Sequence, residues 1–163
     1  MKWVFVIMLG ISFMNVRAGD IEKAPLSTSF FEASANQAKR AEFHDFLKSV
    51  KSKSTVLRAY YGASKALMAE VVSNPYSKLS YFKEGKELIE DAIKSDPNDA
   101  ELRYVRFMIQ QNTPDFLDYN GEMERDFAYL KTSIQNSEMK TTWMLEFSQY
   151  LKANNSKYKV SEL

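Results

Sequence analysis

One segment, residues 81–107 (YFKEGKELIEDAIKSDPNDAELRYVRF), constrains the fold of this chain more than any other. Apolar residues such as Phe82 and Ile89 recur at helical spacing with charged residues between them, which is typical of an amphipathic helix. Asp96 and Pro97 interrupt the pattern, and a second amphipathic stretch follows; we expect Asp96 to cap that helix and Pro97 to occupy its first position. Because the turn is short, the segment predicts two antiparallel helices packed as a hairpin.

The same helical spacing recurs along most of the chain, and no segment has the sustained apolar–polar alternation of a strand. The sequence therefore predicts an all-α domain of about six helices, arranged as stacked antiparallel hairpins. Five of the predicted helices cover about residues 29–50, 55–72, 77–95, 122–135 and 139–154, and the fourth in chain order runs from Pro97 to a stop at Thr113-Pro114.

Capping residues predict where several of these helices begin and end. Ser29, with Glu32 three residues later, forms a capping-box pattern at the start of the first helix. Asn74-Pro75 is expected to end the second helix, since proline disfavours a helical residue before it. Asn120 is expected to cap the fifth helix.

The first residues have the three-part layout of a secretory signal peptide: a basic start, an apolar run over 3–14, and Val16-Arg17-Ala18 as a small-x-small cleavage site. The run is shorter than the roughly 20 residues of a membrane-spanning helix, so we expect cleavage, with an uncleaved anchor as the alternative. The predicted organisation is a signal peptide at 1–18, a flexible lead-in at 19–28, a helical domain at 29–157 and a tail at 158–163. An exported protein, periplasmic or secreted, is expected.

Charge and cysteine content exclude several classes of function. Lys2 and Arg17 leave with the signal peptide and no acid does, so the 22 basic residues become 20 against 21 acidic ones. So balanced a chain lacks the basic excess of a nucleic-acid-binding protein and has no polybasic run for a membrane surface. The absence of cysteine excludes disulfides, cysteine-ligated zinc and thiol catalysis. We expect no nucleic-acid partner, no membrane span after cleavage and no cofactor.

Four positions in the opening segment, Gly85, Ile89, Ala92 and Pro97, follow a small–large–small–proline pattern at the spacing of one repeat. In this pattern the chain resembles the tetratricopeptide repeat family. The small residues would let neighbouring helices approach closely and the large one would fill the space between them. The resemblance implies a superhelix of stacked hairpins, with an irregular helical bundle as the alternative. It covers about a third of the mature chain, because the pattern does not recur 34 residues later.

Members of that family hold proteins or peptides, so the resemblance implies a non-enzymatic module that binds a protein or peptide partner in the cell envelope. In its best-known peptide-binding members, Lys and Asn clamp a terminal carboxylate. The corresponding positions here include Glu101, Tyr104, Met108 and Gln111, so that clamp is absent. A groove would instead be aromatic and Met-rich, with Tyr60, Tyr104 and Met108 as its candidate partner-binding residues and core membership as their other interpretation.

Two alternatives to peptide binding follow from the same residues. The first is a carrier that holds a small apolar ligand or lipid in a cavity between the long helices. The second is an enzyme, which would need two or more buried acids facing each other in a cleft. The sequence shows no nucleophile elbow, phosphate loop or zinc-protease motif, so we expect no enzymatic activity.

Metal binding is also not expected. His44 is the only histidine and no cysteine can join it, so it is expected at the surface or at its boundary. The acidic loop around Gly121 fails the calcium-loop pattern, because the positions that should hold an acid are Phe116 and Phe127.

Overall fold

The computed structural model describes residues 25–51, 53–154, 158, 159, 161 and 163, and within these residues the fold is entirely helical. The all-α prediction is confirmed. The predicted signal peptide and residues 19–24 of the lead-in lie outside the described residues. The helices are α1 (Leu26–Ala35), α2 (Gln37–Ser49), α3 (Thr55–Met68), α4 (Pro75–Ser95), α5 (Ala100–Gln111), α6 (Met123–Gln135) and α7 (Thr142–Ala153).

The single first helix predicted over 29–50 is wrong, because the chain breaks at Asn36 into α1 and α2. Asn36 has extended backbone angles, and its side chain accepts a hydrogen bond from the Ala38 amide at the start of α2. Ser29 does not cap a helix; it lies within α1, is 6% exposed, and donates its amide to the carbonyl of Pro25. This break is why seven helices are present in the described residues where about six were predicted.

Three other predicted helix ends are wrong by a few residues. Asn74 accepts hydrogen bonds from two amides of α4, and Pro75 is the first residue of that helix, so the pair starts a helix. Asp99, and not Asp96, caps α5, which leaves Pro97 in the turn before it. Asn120 does not cap α6 with its side chain, since Glu122 precedes that helix and no side-chain cap is formed.

The α3–α4 hairpin packs unusually closely at two glycines. A Cβ atom on Gly85 would lie 2.5 Å from the Gly62 carbonyl oxygen and 2.8 Å from the Ala66 amide nitrogen. A Cβ atom on Gly62 would lie 2.7 Å from the Gly85 carbonyl oxygen. Each glycine therefore lets the backbone of the partner helix occupy space that any other residue would need.

Two groups of aromatic rings fill the core between the helices. Phe30 of α1 has its ring centroid 5.6 Å from that of Tyr60 in α3 and 6.0 Å from that of Tyr104 in α5. Phe107 of α5 and Phe147 of α7 meet edge to face at 5.3 Å. Such edge contacts suit the charge distribution of aromatic rings. Helix α5 thus supplies rings to both groups and forms the centre of the domain.

The first and last described helices also meet, because α1 packs against both α3 and α7. In an open superhelix each hairpin contacts only its sequence neighbours. This closing contact is a property of a bundle, and the repeat-type resemblance stays a prediction. Among the described residues, none of the helices is both long enough and apolar enough to span a membrane.

Tyr158, the first residue of the predicted tail at 158–163, is buried. Its side chain is only 3% exposed, and its ring lies 4.7 Å from that of Phe127 and 5.0 Å from that of Phe107. The sequence offered no helical pattern there, and burial of this large aromatic side chain against the two rings stabilises the contact.

Candidate functional site

An apolar groove of about 570 Å³ lies at one end of the bundle, where α3 ends, α4 begins and α5 ends. This volume falls within the range of pockets that hold ligands in proteins, roughly 300–1,000 Å³. The groove is lined mainly by hydrophobic side chains from α3, α4, α5 and the loop after α5. Among them are Ala66, Leu67, Leu79, Phe82, Ile109 and Leu117.

Local sequence signals create this groove. Helix α5 stops at Gln111, and the side chains of Asn112 and Thr113 donate hydrogen bonds to carbonyls of its last turn at 2.8 Å each. Pro114 then prevents the helix from continuing. The chain turns outward into a short 3-10 helix, Asp115–Leu117, which forms one wall of the groove.

Large apolar side chains stand exposed around the groove. Phe116, on the 3-10 turn, is 84% exposed, and Leu79 of α4 is 41% exposed. Tyr76 does not line the groove but follows the groove residue Pro75 in the first turn of α4, and it is 86% exposed. Single exposed hydrophobic residues are common on proteins, but several around one apolar groove are typical of a binding surface.

A buried ionic network holds the loop that forms the outer wall. Arg106 of α5, 2% exposed, pairs with both carboxylate oxygens of the fully buried Asp126 of α6 at 2.7 Å each. Its third nitrogen donates to Glu90 of α4 at 2.8 Å, and the Tyr119 hydroxyl donates to the other oxygen of Glu90 at 2.8 Å. Three helices and the end of the loop are therefore joined through one guanidinium group.

The electrostatics of this network favour its charged form. Burial alone would lower the pKa of Arg106, but the hydrogen bonds and charges of Asp126 and Glu90 outweigh burial and raise it. Burial, with the charge of Glu90, also raises the pKa of Tyr119, so the tyrosine stays protonated and keeps donating its hydrogen bond. The Tyr119 ring in turn lies 5.9 Å from Phe82, a groove residue, and carries the Lys86 ammonium 4.7 Å above it. The network thus positions one wall of the groove.

The structure does not bring the predicted partner-binding residues to this groove. Tyr60 and Tyr104 are 0% exposed and Met108 is 1% exposed, so all three belong to the core and are not open to a partner. Their other interpretation, core membership, is confirmed. Of the four repeat positions, Gly85, Ile89 and Ala92 are buried in α4, whereas Pro97 lies exposed in a turn.

Sequence reasoning missed the groove residues Leu79, Phe116 and Leu117. One signal was available: two consecutive large apolar residues, Phe116-Leu117, stand in an otherwise polar loop directly after the proline stop. Apolar residues in a polar loop either reach the core or mark a contact surface. The walls contributed by α3 and α4 carry no such signal, because apolar residues there fit an ordinary amphipathic helix.

Comparison of the chain with protein-family models, with curated proteins and with solved structures found no match. The geometry of the groove therefore carries the functional interpretation.

The expectation for His44 was wrong, because its side chain is 6% exposed and lies between α2 and α3. Its Nδ1 atom is 3.0 Å from Ser64 Oγ, and its ring stacks on Tyr61 at 5.6 Å. Ser64 donates its own proton to the Tyr61 carbonyl at 2.8 Å, so His44 donates to Ser64. Within the described residues, no cluster of three or more potential metal-binding side chains occurs.

A second polar cluster lies inside the domain, where two carboxylates approach the core. Tyr60 donates its hydroxyl to Glu101 of α5 at 2.7 Å. Burial raises the pKa of Glu101 against the effect of the Tyr60 hydrogen bond, and the charges of Asp99 and of Glu146 in α7 add to the rise. Burial also raises the pKa of Glu146, against hydrogen bonds from Thr28 and Ser27 of α1. Tyr60 is fully buried and Glu146 is 8% exposed, whereas Glu101 is half-buried. Through its hydrogen bonds with Ser27 and Thr28, Glu146 joins α7 to α1.

These two raised pKa values predict a pH dependence of stability. The folded state holds protons on Glu101 and Glu146 more tightly than the unfolded state does, so it binds more protons at pH values above 4.5. Its free energy of unfolding therefore falls as the pH rises above 4.5. We expect the wild-type protein to gain stability relative to Glu146→Gln when the pH is lowered from 7 to 5, measured by urea unfolding.

His44 contributes to stability with the opposite pH dependence, and comparing the wild type with Glu146→Gln removes that contribution. Burial, with the charge of Lys65, lowers the pKa of His44, so the histidine destabilises the folded state as the pH falls below 6.5. This contribution is the same in wild type and Glu146→Gln and cancels in their difference. Glu138→Gln, at an exposed position, is the matched control. A difference between wild type and Glu146→Gln that stays constant from pH 7 to 5 would contradict the prediction.

Proposed function

We propose that this protein is an exported, non-enzymatic helical module that binds an apolar peptide segment of a partner protein in the groove between α3, α4 and α5. One observation carries the proposal: the groove is apolar, open, and bordered by Phe116 at 84% exposure and Leu79 at 41%. Covering these side chains removes apolar surface from water, which is the main source of binding free energy at such grooves.

Export rests on the signal-peptide pattern of residues 1–18, and stacked repeat-like hairpins rest on the positions around Gly85. Both agree with a binding module of the cell envelope. The other function that the groove admits is that of a carrier for a small apolar ligand or lipid, which its volume of about 570 Å³ would allow. A peptide is favoured because carriers enclose most of their ligand, whereas here Phe116 stays in water at the rim.

The experiment begins with a displayed library of random 12-residue peptides, selected against the wild-type protein. Phe116→Ser and Leu79→Ser are each expected to weaken the selected peptides about tenfold or more, since burying a large apolar side chain contributes roughly 1.5–3 kcal/mol. Fluorescence anisotropy of labelled peptides gives the dissociation constants. Because both side chains are exposed, the variants should fold as the wild type does.

Leu145→Ser is the matched control. Leu145 is 59% exposed on α7 and does not line the groove, so its loss should leave peptide affinity unchanged. Selected peptides that bind all three variants equally would show that the groove is not the binding site. Failure to select any peptide, together with stoichiometric binding of palmitate, would favour the carrier.

A further inference from the structure

The groove contains two charged side chains, and only one of them is neutralised. Glu70, at the end of α3, forms an ion pair with Arg40 of α2 at 2.5 Å. Arg40 is itself held in place: its side chain is only 10% exposed, and its guanidinium also donates to the carbonyls of Ala33 and Ser34. The negative charge of Glu70 is therefore already compensated from within the domain.

Lys78, in the first turn of α4, is the second charged residue of the groove, and it is exposed. None of the carboxylates in the described part of the chain lies within ion-pair distance of its ammonium group. Its neighbours along the helix explain this, since the positions three and four residues away hold Asn74, Pro75, Tyr81 and Phe82, none of them acidic.

The apolar surroundings of Lys78 strengthen the attraction between its ammonium group and an anion. Leu79 and Phe82 follow Lys78 on the same helix and line the same groove, so an occupant would displace water from beside the ammonium group. Charges interact more strongly when water is excluded. The first turn of a helix adds partial positive charge from the backbone, which also favours an anion. The net electrostatic preference of the groove is thus for a negative group.

We propose that the groove selects peptides in which an acidic side chain, Asp or Glu, accompanies the apolar residues, and that Lys78 binds this carboxylate. This inference rests on the proposed function, because it specifies the chemistry of the peptide that the groove takes. The carboxylate in this proposal belongs to a side chain of the peptide and not to its C-terminus. The apolar residues of the peptide supply most of the affinity, and Lys78 supplies the preference among peptides of equal hydrophobicity.

The test repeats the random 12-residue peptide selection, with capped ends, against the wild type and against Lys78→Glu. Acidic residues next to apolar ones should be enriched with the wild type and replaced by Lys or Arg with Lys78→Glu. For the best wild-type peptide, changing its acidic residue to Gln should weaken binding about fivefold to the wild type, the upper range for a partly exposed ion pair. The same change should not weaken binding to Lys78→Glu.

Lys83→Glu is the matched control, because it changes the net charge equally from an exposed position on α4 that does not line the groove. Its selected peptides should keep their acidic residues. Loss of the acidic preference with Lys83→Glu as well would mean that overall charge is responsible, which overturns the inference.

The remaining outcomes separate the two proposals. Peptides that bind in the groove with no acidic preference would overturn the role of Lys78 and leave peptide binding intact. If no peptide is selected at all, peptide binding itself fails. Palmitate binding that is lost in Lys78→Glu, without any peptide binding, would replace the peptide by a fatty acid and overturn both.

Discussion

Replacing Asp126 with alanine is expected to destabilise the domain by about 3–5 kcal/mol, the usual cost of breaking a buried ion pair from one side. The change leaves Arg106 at 2% exposure with only the partly exposed Glu90 and the more distant Glu122, at 3.7 Å, to compensate its charge. It also removes the contact of Asp126 with Arg103 at 3.0 Å. Since most domains are stable by only 5–15 kcal/mol, a large part of the stability would be lost. Urea unfolding followed by circular dichroism measures the change.

A second variant shows whether the loss of stability in Asp126→Ala arises from the uncompensated charge of Arg106. In the double variant Asp126→Leu/Arg106→Met, the two most deeply buried charges are replaced by apolar side chains, while Glu90 and Arg103 keep partial access to water. Part of the lost stability should therefore return. Glu138→Gln, at an exposed position outside the network, is the control and should change stability by less than about 0.5 kcal/mol. A loss of under 1 kcal/mol in Asp126→Ala would contradict the assignment of this network as a structural element.

The geometry that this network fixes explains why so small a domain contains a buried charge cluster. Ion pairs of this kind give little net stability compared with apolar residues of similar size, but they fix the geometry of the elements that they join. Here the guanidinium of Arg106 joins α4, α5 and α6, and through Glu90 it holds Tyr119 at the end of the groove loop. We infer that its function is to position the wall that carries Phe116.

The helices could be predicted from the sequence because their signal is local. Residues such as Phe82 and Ile89 repeat at helical spacing, and prolines mark most of the breaks. The break at Asn36 was missed because apolar spacing continues across it, and only the backbone angles of one residue separate the two helices. Capping residues were placed wrongly near Pro97 because Asp96 and Asp99 are both good caps and local sequence cannot choose between them.

The groove and the network could not be predicted, since both depend on contacts between distant residues. Arg106 and Asp126 lie 20 residues apart, and each alone reads as an ordinary charged residue on an amphipathic helix. Tyr60 and Tyr104 were chosen as groove residues because they are large and aromatic, which is equally true of core residues. The position of α1 over α3, α5 and α7 buries them, and no local pattern gives that arrangement.

Gly85→Leu is expected to destabilise the domain by about 3 kcal/mol, the upper part of the range for overpacking a core. A Cβ atom there would lie 2.5 Å from a backbone oxygen and 2.8 Å from a backbone nitrogen, both in α3. Backbone atoms cannot move aside as a flexible side chain can, so the two helices must separate. Gly85→Ala adds the same Cβ atom and should also lower the melting temperature, although alanine favours a helix over glycine by about 1 kcal/mol.

Gly121→Ala is the matched control for this prediction. Its added Cβ atom would meet no atom within 4 Å, and its backbone angles lie in a region open to any residue, so the change should be neutral or slightly stabilising. Melting temperatures from differential scanning calorimetry would then fall for both Gly85 variants and not for Gly121→Ala. A rise in melting temperature for Gly85→Ala would refute the close contact at Gly62, since helix propensity alone would then decide the outcome. The hairpin that dominates the sequence pattern would in that case be held by its apolar side chains without the direct approach of its two backbones.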